Sequence, residues 1–117
     1  MFKLYGLKVD SIIKIFFTYE EEIKEKEKIN FHFMIGVIYS AISDYDKSIE
    51  YYDLVVKNNK EPSLSVQTYL LLSDLYMGKK DSINAGNSLT EAYKISNNSP
   101  IAPKTKDHVA MQYNFFN

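Results

Sequence analysis

Apolar side chains recur at spacings of three and four residues along most of the chain, and short polar breaks interrupt them. The stretch GVIYSAISDYDKSIEYYDLV, residues 36–55, shows this spacing on both sides of the polar pair Ser43-Asp44. Residues three and four apart lie on the same face of an α-helix. The stretch therefore predicts two amphipathic helices that are joined by a tight turn.

The same pattern returns after a step of 37 residues, for example from Tyr39 to Tyr76. The step carries an apolar residue, a small residue and a tyrosine onto residues of the same types. These triplets are Ile35, Gly36 and Tyr39; Leu72, Ser73 and Tyr76; and Val109, Ala110 and Tyr113. A fixed period of this length indicates helix pairs that stack as repeats. The small residue in each triplet is expected to let the partner helix approach closely.

The second helix of each pair has its own set of inward-facing positions and its own end signals. The predicted inner face holds Ser48, Tyr52 and Val55 in one repeat and Ala85, Leu89 and Ala92 in the next. Asp44 and Asp81 are suited to the N-cap position, where a carboxylate accepts hydrogen bonds from unpaired backbone N–H groups. Pro62 and Pro100 follow the second helices and are expected to stop them.

These signals predict an all-α fold of antiparallel helix pairs, stacked as a short α-solenoid of about six helices. The chain is interpreted as one domain with a half repeat at 1–26, full repeats at 27–62 and 63–100, and a half repeat at 101–117. The predicted helices are Val9–Lys24, Glu27–Ile42, Asp44–Asn58, Ser63–Met77, Asp81–Ser96 and Lys104–Phe115.

The order of residue types resembles the tetratricopeptide repeat over about residues 29–97. That repeat has an apolar residue, a small residue and Tyr on its first helix, then an alanine-like residue, an aromatic and another alanine-like residue. This chain departs from it in its 37-residue period instead of about 34, in Ser48 and Val55 at alanine-like positions, and in His32 where Trp is common. The resemblance implies a helical scaffold that binds proteins or peptides.

A narrower resemblance is carried by EKEKINFHFMIGVIYSAISDYDKSIEYYDLVVKN and SLSVQTYLLLSDLY, which are similar to the Rap-type regulators of Gram-positive bacteria. Members of that family bind short secreted signalling peptides in a concave groove. The resemblance implies peptide or protein recognition in bacterial or phage-borne signalling. The family's N-terminal three-helix bundle has no counterpart here, so its phosphatase chemistry is not carried over.

Composition narrows the class of function. The net charge is −1, and the 14 basic residues, all Lys, are interleaved with acidic ones, so no basic surface for nucleic acid is expected. The chain has no Cys, only two His and only four Gly, which argues against a zinc site, thiol catalysis and a glycine-rich phosphate loop. No apolar run reaches the roughly 18 residues that span a bilayer. We expect a cytoplasmic, non-catalytic protein without cofactor or metal.

The predicted binding surface lies on the first helix of each repeat, at positions offset from the packing face. It comprises Asn30, Phe33, Val37 and Ser40 in one repeat and Gln67, Leu70, Asp74 and Met77 in the next, each 37 residues further on. Side-chain amides such as Asn30 and Gln67 both donate and accept hydrogen bonds, which suits an extended peptide backbone. The lysine–asparagine clamp that some tetratricopeptide domains use on a ligand's C-terminal carboxylate is missing, which disfavours a chaperone-tail adaptor.

The apolar ends of the chain support an alternative interpretation, a structural protein that assembles with copies of itself. Helical arrays usually end on polar faces, because each repeat contacts only its neighbours. Here both ends carry large apolar residues instead. The predicted oligomer interface comprises Ile12, Ile13, Phe16, Phe17, Tyr113, Phe115 and Phe116.

Overall fold

A computed structural model of the chain describes residues 11, 13–15 and 25–116, and for residues 25 and 26 the backbone only. The described helices with defined bounds are α1 (Glu25–Ala41), α2 (Tyr45–Asn58), α3 (Pro62–Gly78), α4 (Ser82–Asn98) and α5 (Pro103–Phe116). Residues 11 and 13–15 are also helical, and the described residues include no strand. The predicted all-α class is confirmed, and the bounds of α1 to α5 differ from the prediction by at most two residues.

The two turns within the helix pairs have the same construction. Asp44 accepts a hydrogen bond from the backbone N–H of Lys47 at 3.3 Å, and Asp81 accepts one from that of Asn84 at 3.1 Å. Both predicted N-caps are therefore confirmed. The residue before each cap, Ser43 or Lys80, has a positive φ, at 63° and 61°. A left-handed residue followed by an aspartate cap turns the chain tightly enough for the next helix to fold back.

Pro62 and Pro100 lie beyond the ends of α2 and α4, as predicted, but Pro62 also has a second role. Pro62 is the first residue of α3, and Pro103 is the first residue of α5. Proline suits this position because its fixed φ matches the helix and its missing N–H would have had no helical partner. Pro62 thus begins a helix, whereas α2 has already ended at Asn58. The side-chain amide of Asn59 fixes this connection by donating to the Glu61 carbonyl at 2.7 Å.

The chain divides into two compact units, Met1–Leu54 and Val55–Asn117, with the boundary inside α2. In the first unit, α1 packs on the beginning of α2 at Gly36. A Cβ atom at Gly36 would lie 2.6 Å from Cε1 of the Tyr52 ring, so no larger residue fits without movement. The hydroxyl of Ser48 donates a 2.6 Å hydrogen bond to the Gly36 carbonyl. The predicted close approach at Gly36 is confirmed.

In the second unit, α4 packs against both α3 and α5. Val66, Ala92, Ile101 and Val109 form a buried cluster, and Tyr69, Leu70, Tyr93 and Ile95 pack around it. The six residues predicted for the inner faces of the second helices are all buried. They are Ser48, Tyr52, Val55, Ala85, Leu89 and Ala92.

The contact at Gly36 leads to a prediction about stability. We expect Gly36→Ala to lower the free energy of unfolding by about 1–2 kcal/mol, because the cost of overpacking exceeds the gain of about 1 kcal/mol in helix propensity. The added methyl group would meet ring carbons of Tyr52, which is itself only 1% exposed and has little room to move. Urea denaturation followed by circular dichroism measures the change.

The equivalent positions of the next repeat supply the control. There Ser73 takes the place of Gly36, and Leu89 takes the place of Tyr52. The small residue of the pair is therefore larger than in the first repeat, and its partner is smaller. We expect Gly36→Ala to cost less in a Tyr52→Leu background than in the wild type. An equal cost in both backgrounds would show that the Tyr52 ring is not what excludes a side chain at Gly36.

The capping interaction of Asp81 predicts a pH dependence. Hydrogen bonds from the side chain and backbone of Asn84 lower the pKa of the Asp81 carboxyl. A carboxyl whose pKa is lower in the folded state adds stability above its unfolded pKa, and this stability is lost as the pH falls through the folded pKa. We therefore expect wild type to be more stable than Asp81→Asn at pH 7, and the difference to close below about pH 4. Thermal unfolding at several pH values tests this; a difference that does not vary with pH would contradict it.

Candidate functional site

The four predicted binding residues of the first unit lie on α1. Asn30 and Val37 are exposed, and Ser40 is half-buried. The Phe33 ring is also half-buried and lies 5.6 Å from the ring of Tyr52, measured between centroids. Asn30, Val37 and Ser40 are thus accessible on this helix, while Phe33 also contributes to its packing.

In the second unit, α3 and α5 lie on either side of two cavities. Their N-terminal halves line a cavity of about 400 Å³ that is formed by Ser63, Gln67, Leu70, Lys104, Thr105 and His108. Their C-terminal halves line another of about 450 Å³, together with Leu89 of α4. Since like ends of the two helices meet at each cavity, α3 and α5 run parallel. The cavities follow one another along what we call the α3/α5 groove.

Most of the α3 wall of this groove consists of residues that the sequence singles out. Gln67 and Leu70 line the first cavity, and Asp74 and Met77 line the second. The structure thus brings all four predicted residues of α3 onto one surface, where Gln67, Asp74 and Met77 are exposed and Leu70 is half-buried. Ser73, the small residue of the repeat, lies beside them in the second cavity.

The opposite wall comes from α5 and was not predicted. Its members are Lys104, Thr105, His108, Met111, Gln112, Phe115 and Phe116. The 37-residue step could have found two of them, since it carries Gln67 onto Lys104 and Asp74 onto Met111. The remaining members depend on how α5 is placed against α3, which no spacing within one helix reveals.

The two ends of the groove differ in polarity. Lys104 lies at the first cavity, beside the amide of Gln67 and the hydroxyl of Thr105. The second cavity is mainly apolar, and Met77 and Met111 are 50% and 64% exposed there. Asp74 is the one charged residue among its described lining residues. The groove therefore presents a cation at one end and a carboxylate in apolar surroundings at the other.

Although the Asp74 residue is exposed overall, partial burial of its carboxyl in the second cavity affects its ionisation. It raises the pKa of the carboxyl, and the nearby His108 opposes this effect only in part. Within the described part of the chain, Asp74 makes neither a hydrogen bond nor a salt bridge, and the His108 ring instead contacts the Gln112 amide at 2.9 Å. Asp74 is thus a partly desolvated carboxylate whose charge is not fully compensated.

The two histidines belong to different units of the chain. His32 lies in the first unit, where its ring is 5.8 Å from that of Tyr51, and His108 lies in the second. Among the described residues, no three His, Cys, Asp or Glu side chains are grouped in a way that could hold a metal ion. None of the helices in this described part has the length and apolarity to cross a membrane.

The residues predicted for self-assembly have different environments. Tyr113 stacks on Tyr93 with ring centroids 4.3 Å apart, and Phe116 packs against Gly86 of α4. Phe115 is 93% exposed. At the other end of the chain, Ile13 is buried, whereas Ile12, Phe16 and Phe17 lie outside the described residues.

Comparison with known families agrees with the helix pairs. The family model for the tetratricopeptide repeat matches residues 29–62 and 66–99, so the two matches begin 37 positions apart. Neither the curated proteins nor the solved structures gave a match. The narrower resemblance to Rap-type regulators therefore receives no support from these comparisons. The two adjacent matches cover more than half of the sequence, and the chain belongs to the tetratricopeptide repeat family.

Proposed function

We propose that this chain is a non-catalytic protein-interaction module that holds an extended peptide segment of its partner in the α3/α5 groove. The observation that carries the proposal is the convergence of Gln67, Leu70, Asp74 and Met77 with α5 around two adjoining cavities. Tetratricopeptide repeats are generally interaction modules, which supports the broader part of the proposal. The shape of the groove supports the narrower part of the proposal, which concerns the place of binding and the extended form of the ligand.

The chemistry of the groove suits a peptide. Gln67 and Gln112 lie on opposite walls, and each amide can donate to a peptide carbonyl and accept from a peptide N–H. The exposed methionines supply flexible apolar contacts that adapt to different side chains. The repeat pattern also assigns four residues of α1 to partner binding, namely Asn30, Phe33, Val37 and Ser40. The accessibility of all but Phe33 supports this assignment.

A signalling role in bacteria or phages, with a short peptide as ligand, follows from the Rap-type resemblance alone. The groove is compatible with such a ligand because it offers alternating amide and apolar contacts. It is equally compatible with an extended segment of a larger partner. We therefore propose peptide recognition as the function. The sequence of the bound peptide would identify the pathway.

Selection from a random peptide library provides the test. We expect selected 12-residue peptides, a length of about 40 Å when extended, to bind Gln67→Ala and Met77→Ala about fivefold to tenfold more weakly than wild type. The loss reflects one hydrogen bond or one apolar contact with the ligand. Fluorescence anisotropy with labelled synthetic peptides measures it, and Asn30→Ala examines the α1 assignment separately.

Two matched variants on α4 serve as controls. Asn97 and Ile83 are exposed and line neither cavity, so Asn97→Ala and Ile83→Ala should bind as wild type does. Thermal unfolding of every variant checks whether the groove substitutions leave the fold intact. Equal binding by wild type, Gln67→Ala and Met77→Ala would refute the assignment of the groove.

The exposure of Phe115 favours self-assembly as a second candidate function. Of the three C-terminal aromatics in the predicted interface, Tyr113 and Phe116 have ring contacts with α4, whereas Phe115 is 93% exposed. An aromatic ring at this exposure gains about 2 kcal/mol when it is buried against another copy. We expect the wild type to show a rise in mean mass with concentration by light scattering, and Phe115→Ser to reduce it.

A wild type that stays monomeric over the full concentration series would rule self-assembly out. Ile83→Ser is the matched control, since Ile83 is an exposed apolar residue of the same unit outside the predicted interface. If Ile83→Ser reduced the mean mass as much as Phe115→Ser, the association would be non-specific.

A further inference from the structure

We infer that the second cavity of the α3/α5 groove receives a lysine or arginine side chain of the bound peptide, with its cationic head paired to Asp74. The inference rests on the proposed function, because it concerns a ligand in that groove. It adds the chemical class of the side chain that the cavity takes, and with it a direction for the peptide.

The lining of the cavity has an apolar part that matches the aliphatic stem of such a side chain and an acidic part that matches its charged head. Its wall includes the thioethers of Met77 and Met111 and the ring of Phe115, which can pack along the aliphatic stem of a lysine or arginine. Asp74 then accepts the hydrogen bonds of the charged head. The Phe115 ring, which is exposed, can also contact the cation through its face. At about 450 Å³ the cavity has room for either side chain.

The state of Asp74 argues for a cation rather than an apolar residue. An apolar side chain in this cavity would strip further water from a carboxylate that has no hydrogen bond or salt bridge within the described residues. Burying a charged group without a partner costs more than an apolar contact of one side chain returns. A cationic side chain offsets this cost directly. The basic groups that line the groove with Asp74 are the nearby His108 and, at the far end, Lys104.

The first cavity extends the match to a second position of the ligand. Lys104 lies seven residues before Met111, a rise of about 10 Å along α5. An extended peptide covers this distance with about three residues. An acidic group of the ligand, placed about three residues from the basic one, would meet Lys104 and Gln67. The peptide then has one favoured direction, because reversing it would place like charges together at both cavities.

A double-mutant cycle tests the pairing. Peptides are selected from the random library against the full chain, and the basic residue that the selection enriches is replaced by norleucine in a synthetic copy. We expect Asp74→Asn to weaken binding of the basic peptide about tenfold, as for a charge-assisted hydrogen bond. The same substitution should change binding of the norleucine peptide little. Asp107→Asn, which removes an exposed carboxylate of α5 outside both cavities, is the matched control.

The outcomes separate this inference from the proposed function. The inference is supported if the selected peptides are enriched in basic residues and the double-mutant cycle shows an interaction energy between Asp74 and the basic residue. Peptides that lose affinity for Gln67→Ala but not for Asp74→Asn would leave groove binding intact and overturn the pairing. A library that yields no peptide sensitive to Gln67→Ala, Met77→Ala or Asp74→Asn would overturn both. A second selection, with the Asp74→Lys variant as the target, gives an independent readout. The peptides that bind this variant should carry an acidic residue in place of the basic one.

Discussion

The packing of each helix pair depends on a small residue that faces a large side chain across the pair. In the first unit this is Gly36 against Tyr52, where even one methyl group would lie within 2.6 Å of the ring. The hydroxyl of Ser48 uses the same closeness to reach the Gly36 carbonyl. In the second unit the equivalent small residue, Ser73, is buried and also lines the second cavity beside Leu89. A larger residue at Ser73 would disturb this packing and fill part of the second cavity, so the packing and the shape of the groove share one constraint.

The regular part of this fold could be predicted because its signals are local. Helical periodicity and the two aspartate caps set the bounds of α1 to α5, and neighbouring positions on α3 follow from the geometry of a single helix. The positive φ at Ser43 and Lys80 could not be predicted from the sequence, because neither turn has a glycine at that position. The sequence also points to Pro62 as a stop signal, since a proline that begins a helix and one that follows a helix look alike when the connection is short.

The candidate site could be predicted on one wall and not on the other. The α3 wall follows from the repeat pattern, whereas most of the α5 wall depends on the placement of one helix against another. The chain's C-terminal aromatics show the same limit. Tyr113 and Phe116 resemble an exposed apolar end in the sequence, but Tyr93 and Gly86 of α4 give them partners 20 and 30 residues away. Contacts at that distance along the chain carry no periodic signal.

The chemistry of the groove arises where the repeats differ, not where they agree. Positions that the 37-residue step keeps alike, such as Tyr39 and Tyr76, belong to the scaffold. At the groove the same step changes Gln67 to Lys104 and Asp74 to Met111, so the two walls of the groove are unlike each other. Two identical parallel walls would instead carry two amides at one end and two carboxylates at the other, with no cation. Unlike walls place a cation at one end and a carboxylate among methionines at the other, and a nearly neutral chain can in this way acquire specificity from local charge alone.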